Sequence, residues 1–231
     1  MFDVFASALH VMTSGDPEFI RIVLLSLRVT LSALTIASLI GLPLGAFIAI
    51  ARFPGRSIVT IGLNALMGFP PVVAGLLVYL LLSRSGPLGA LGMLFTPGAM
   101  IVAQTVLILP IVASLTRQVI EDLWADYEEQ LRSLGSSRLR AIPTLLWDGR
   151  YSLVTALLAG FGRASAEVGA VMIVGGNIAG YTRTMTTAIA LETGKGDLAL
   201  ALALGLILMT LTFALNASAF GTARLARRVG G

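Results

Sequence analysis

Among the stretches of this chain that carry no charged side chain at all are Val29–Ala51, Ser57–Ser83 and Leu198–Phe220. A helix rises about 1.5 Å per residue, so each is long enough to cross roughly 30 Å of hydrocarbon. Nothing else in the sequence constrains the fold as tightly. Lipid offers backbone groups no hydrogen-bond partner, so a run of this kind belongs in a membrane-crossing helix. Composition agrees: 12% of residues are charged, 56% are hydrophobic, and the mean hydropathy is +0.91. An ordinary soluble domain carries about a quarter charged residues. The sequence predicts an all-α, polytopic membrane protein with a single transmembrane domain over residues 1–231.

Five spans are expected, at about 19–51, 57–83, 97–119, 151–175 and 198–220. Residues 1–15 are too short to cross and read as an interfacial helix. Asp16 and Pro17 have the residue types of an N-cap and a first helical position, as do Thr96 and Pro97. Gly41 and Gly45 let another helix come close, and Pro43 bends the first span. The second span contains Phe69-Pro70-Pro71, and the third contains Pro110. A proline break within a membrane survives where the backbone is buried in protein or faces a wet cavity. Pro70 and Pro71 therefore read either as lining a path or as a structural kink. Arg163 and Glu167 interrupt the fourth span, which ends at Gly175-Gly176-Asn177. A polar loop with Thr182, Thr184, Thr186, Thr187 and Thr193 follows, read as an outer gate, a partner contact or a plain solvated loop.

The polar exception is Glu121–Arg150, which holds half of the chain's 12 acidic side chains between apolar runs. It belongs in water on one side of the membrane, and at this length it is more than a connection. Leu123, Tyr127, Leu131 and Leu134 recur at helical spacing, and Glu128 and Arg132 are placed to support one another. Gly135 fits a helix stop and Ser136-Ser137 a new cap, giving helix, glycine, second short helix. Arginine placement sets the orientation. The Arg52/Arg56 turn, the 120–150 segment with Arg117, and the tail with Arg224, Arg227 and Arg228 hold most basic residues. Arg21, Arg28, Arg84, Arg183 and Lys195 lie on the other side. The positive-inside rule then puts the insert and the C-terminus in the cytoplasm and the N-terminus outside.

Several functions lose their chemistry at once. With no Cys and a single His10, read as an interfacial side chain, there is no thiol nucleophile, disulfide, His cluster or triad. No phosphate-cradling loop is present, and Gly194-Lys195-Gly196 falls on the outer face. Catalytic residues, cofactor and metal are all expected to be absent, and any ATP is hydrolysed by another chain. The net charge of +4 reflects arginines flanking spans rather than a nucleic-acid surface. The N-terminus lacks a basic region and cleavage site, so no signal peptide is read.

Glu129-Gln130-Leu131-Arg132-Ser133-Leu134-Gly135 puts an acid six residues before a glycine, in a loop two spans from the C-terminus. This resembles the "EAA" loop of ABC importer permeases, whose two alanines are Gln130 and Leu131 here and whose downstream Leu-Pro falls at Trp147-Asp148. The resemblance implies a coupling helix seated on a separate ATPase, made by Tyr127, Glu128, Glu129, Leu131, Arg132, Leu134, Gly135 and Ser136. The run from Gly162 through Arg163, Glu167 and Asn177 to Gly180, then Thr182 and Thr184, resembles permeases of molybdate, tungstate and sulfate importers. Together with Phe69–Gly89 it looks most like the tungstate branch. It implies a second permease copy, two cytoplasmic ATPase chains, an extracytoplasmic solute-binding protein, a prokaryotic cell membrane and an oxyanion substrate.

The path is expected to involve Pro70, Pro71, Arg163, Glu167 and Asn177. An intramembrane charge points into the protein or a wet cavity. Arg163 then either faces the anion or forms with Glu167 a neutralising pair that locks the helices. A self-sufficient secondary transporter or channel is the rival, weakened by the absence of an inverted repeat. A membrane anchor fits three proline-broken spans less well.

Overall fold

The computed structural model describes the backbone of residues 2–229 and the side chains of residues 4–218. The side chains of Arg224, Arg227 and Arg228, and residues Gly230 and Gly231, lie outside the described residues. Regular structure is helical throughout the described chain.

Two long helices form the centre, α2 (Pro17–Ile50) and α5 (Pro97–Ser133); α1 (Phe2–Thr13) precedes them. Both start as their sequences predict. The Asp16 side chain accepts from Glu18 N at 2.9 Å, and Thr96 Oγ1 accepts from Ala99 N at 3.5 Å. Small residues bring the two helices together. A Cβ on Gly41 would lie 3.0 Å from Val112 Cγ1, and one on Gly45 would run into the Ala113 carbonyl. Neither Pro43 nor Pro110 ends its helix. With 37 residues α5 is about 55 Å long. It therefore carries the third span and the first half of the charged insert as one rod.

The second and fourth spans are not single helices. Residues 57–83 form α3 (Arg56–Met67) and α4 (Pro71–Leu82), which meet at 104°. Pro70 is extended, with ψ 123°, as a residue before proline must be, and Pro71 opens α4. Residues 151–175 form α7 (Arg150–Ser165) and α8 (Gly169–Gly175), bent by 59°. The halves α4 and α8 pack so closely that a Cβ on Gly75 would lie 2.6 Å from Ala170 Cα. Three helices are long and apolar enough to cross a membrane alone, and up to five spans result if each bent pair counts as one.

The threonine-rich stretch is not a solvated loop. It folds back and starts α9 (Met185–Lys195), with Thr182, Thr184 and Thr187 buried. Thr182 Oγ1 accepts from Ile178 N at 2.9 Å and donates to Gly175 O at 2.6 Å. Thr187 Oγ1 accepts from Thr184 N at 3.0 Å, half of a capping box. These hydroxyls serve their own backbone, which composition alone does not reveal. The last helix, α10 (Leu198–Val229), packs with α9 and α1 around Ala8, Phe19, Ile22, Met185 and Leu204.

Candidate functional site

The charged insert is the helix–glycine–helix hairpin that its residues predict, with α6 (Arg138–Asp148) as its second arm. Gly135 has φ +76°. Its N–H donates to Arg132 O and that of Ser136 donates to Leu131 O, each at 2.9 Å, which together make a Schellman stop. Ser137 occupies the N-cap of α6, but no side-chain bond completes the cap.

Ion pairs hold the hairpin in place. Glu128 Oε1 accepts from Arg138 at 2.8 Å and lies 3.4 Å from Arg132, so one carboxylate ties both arms. Arg138 also donates to Ile50 O at 3.3 Å and lies 5.5 Å over the Trp124 ring. Arg56 donates to Ile48 O at 2.7 Å and Ala49 O at 2.6 Å, and pairs with Glu121, which also pairs with Arg117. The last carbonyls of α2 have no helical N–H to accept. Two arginines from elsewhere in the chain take that role. Beneath them Ala46, Ile50, Ile120, Trp124, Ala141 and Leu145 form a buried cluster. The insert is therefore wet only on its outer side. There Leu134 is 83% exposed, Trp147 69% and Leu139 57%, while Glu129 and Tyr127 are also exposed.

The residues expected along a path are only partly brought together. Arg163 Nη1 lies 2.9 Å from Oε2 of Glu167, which stands in the break between α7 and α8. Glu167 is 2% exposed, and its other oxygen accepts from Ala170 N at 2.8 Å. Pro71 stands beside this break, because a Cβ on Gly169 would lie 2.9 Å from Val72 Cγ2. Asn177, with φ +48°, sits past the other end of α8, about 10 Å away along its axis. Behind the break a cavity of about 20 Å³ is lined by Ser26, Thr30, Gln104, Ser165, Thr184 and Thr186, among others. That volume suits about one water and not a tetrahedral oxyanion.

No protein-family model matches the chain. Individual relatives do. A tungstate uptake system permease protein of Peptoclostridium acidaminophilum is 40% identical over 213 residues, covering 92% of this chain and 93% of the relative. A probable anion ABC transporter permease protein of Haloferax volcanii is 42% identical over 184 residues, 78% and 79% of the two chains. The chain belongs to the oxyanion permeases of ABC importers. More distantly, a molybdenum transport system permease protein of Escherichia coli is 30% identical over 190 residues, 77% and 81% of the two chains.

This permease is accordingly a multi-pass prokaryotic membrane protein and a transport subunit, with ATP hydrolysis on separate chains. ATPase and binding-protein partners follow from the family in general. Sequence reasoning did not assign a role to three of the hairpin's residues, Arg138, Leu139 and Trp147, or to Arg56, which clamps it from the start of α3. Arg138 did carry a signal, its position directly after the cap residue Ser137. Nothing local marks Arg56, whose acidic partner is 65 residues away.

Proposed function

We propose that this permease imports tungstate, or the similar dianion molybdate, driven by an ATPase docked on the 120–150 hairpin. Two copies build the pathway, with the N-terminus outside and the C-terminus in the cytoplasm. The carrying observation is the hairpin itself. Its stop at Gly135 is fixed, its inner face is buried, and Arg56 and Arg138 clamp it to the end of α2. A lever needs that rigidity, and its exposed Tyr127, Leu134 and Leu139 are the kind of surface a partner groove covers. When ATP closes the ATPases, the two hairpins move, and α2 and α5 rock with them. The preference for tungstate is supported by likeness to tungstate uptake permeases over nearly the whole chain.

The test is uptake by proteoliposomes holding the permease, its ATPase and its binding protein, with tungstate, molybdate and sulfate as competing substrates. ATP-dependent tungstate uptake from a preparation in which the permease cross-links as a dimer is expected. Uptake without the ATPase would favour a secondary transporter, and preference for sulfate would overturn the substrate.

A further inference from the structure

We infer that Arg21 and Arg28, facing Tyr181, form a binding site for a tetrahedral oxyanion group, separate from the Arg163–Glu167 pair. The two arginines are exposed and seven apart on α2. Seven residues are nearly two helical turns, so both side chains leave one face about 10 Å apart along the axis. They line an open cavity of about 620 Å³ whose other walls include Gly15, Pro17, Leu24, Leu25 and Tyr181.

Charge and position together mark this cavity. Among the described residues, Arg56, Arg117, Arg132, Arg138, Arg163 and Arg183 each pair with a carboxylate within 4.0 Å, while Arg21, Arg28, Arg52, Arg84, Arg140 and Arg150 do not. Of these six, Arg21 and Arg28 line one cavity together. Glu18, the nearest acid along α2, lies 3.6 Å from Arg183 instead. Two guanidinium groups in one cavity repel each other and favour an anion between them. Each offers a planar fork of donors suited to a tetrahedral oxyanion.

The opposite wall is built. A Cβ on Gly180 would lie 3.4 Å from Arg21 Nη1, so the guanidinium stands over the Gly180–Tyr181 turn. That turn has φ +67° at Gly180, and Tyr181 N donates to Ile178 O at 3.1 Å. The small residue allows the arginine its close approach. Depth matters as well. The uncharged run of α2 begins at Val29, so Arg28 stands at the edge of the hydrocarbon and Arg21 further out. An arginine near the end of a span reaches the interface, where headgroup and solute anions are met. On the orientation proposed above, this is also the side where basic residues are disfavoured.

Two sources share the chemistry: a free dianion on its way to the path, or the phosphate of an anionic lipid lying along exposed Ile20 and Leu24. The free-ion source rests on the proposed substrate; the lipid source does not. The experiment uses the purified permease–ATPase complex, wild type and Arg21→Gln/Arg28→Gln. One arm measures retained tungstate by equilibrium dialysis in phosphatidylcholine nanodiscs. The other measures phosphatidylglycerol retained through native mass spectrometry from nanodiscs containing it. The double variant should lose about tenfold or more in one arm, and Arg28→Lys, which keeps the charge but not the planar fork, should lose less. Should the double variant fail to assemble, the exposed Arg21→Gln alone carries the comparison. Loss of tungstate identifies the free ion, and loss of phosphatidylglycerol alone identifies lipid and leaves the site standing even if the wild type imports no tungstate. Equal retention of both ligands by wild type and variant overturns the site.

Discussion

Arg163 on α7 reaches Glu167 in the break at 2.9 Å, and Glu167 in turn accepts from Ala170 N, so the carboxylate ties α7 to the start of α8. Glu167 is almost fully buried and spends its second oxygen on Ala170 N. Removing Arg163 would leave a buried carboxylate without its counter-charge, a change that typically costs about 3 kcal/mol or more. Arg163→Gln should therefore lower the melting temperature of the detergent-purified permease, and Arg163→Gln/Glu167→Gln should recover much of it. A single variant that is fully stable but transports no tungstate would instead place Arg163 in contact with the anion.

The contact between α4 and α8 depends on the absence of a side chain at Gly75. Gly75→Val would drive its side chain into the backbone of Ala170, with overpacking costs of about 1–3 kcal/mol. Gly62→Val is the control, since a Cβ there meets nothing within 4 Å. Thermal unfolding should separate the two variants, and equal stability would show that the half-helices do not need this approach.

Arg138 links the hairpin to α2 through Ile50 O and its two arms through Glu128. Arg138→Ala should loosen the clamp without touching the exposed surface that a partner covers. The expected result is ATP hydrolysis that continues while uptake per ATP falls, with partial rescue by Arg138→Lys. Unchanged uptake per ATP would remove Arg138 from the coupling route.

Local features were legible because their causes are local. Asp16, Thr96 and Gly135 act within four residues of themselves, and each does what its residue type implies. Pro70-Pro71 announced a break, though not that its 104° bend would send α4 against α8. The unbroken run of α5 into the insert was masked by the change from apolar to charged residues, which a helix does not feel. The buried threonines misled for a related reason. Polarity predicts water only when the hydroxyl lacks a backbone partner, and Thr182 has two. Contacts such as Arg56 to Ile48 O join α3 to the end of α2, and nothing in the periodicity encodes them.

Orientation is open to direct measurement. A cysteine at Ser14 should react with an impermeant maleimide in intact cells, and one at Ser136 should react only after lysis. The parent chain has no Cys, so every label reports the introduced site. Reversed labelling would turn the permease over and take the docking proposal with it.

The decisive variant for docking is Gly135→Asp. Gly135 has φ +76°, and a Cβ built there meets nothing within 4 Å in the chain. The left-handed conformation costs a residue with a Cβ about 1 kcal/mol, and aspartate tolerates it better than most. The hairpin is also clamped from elsewhere, by Glu128, Arg138 and the Trp124 cluster. The isolated permease should therefore fold and melt almost as the wild type does. Any large loss must come from a surface outside this chain, where a new carboxylate meets the ATPase groove. Uptake in proteoliposomes should fall, with the ATPase either lost in pull-down or hydrolysing ATP without moving substrate. Full uptake with the ATPase still bound would mean that force enters the membrane helices elsewhere.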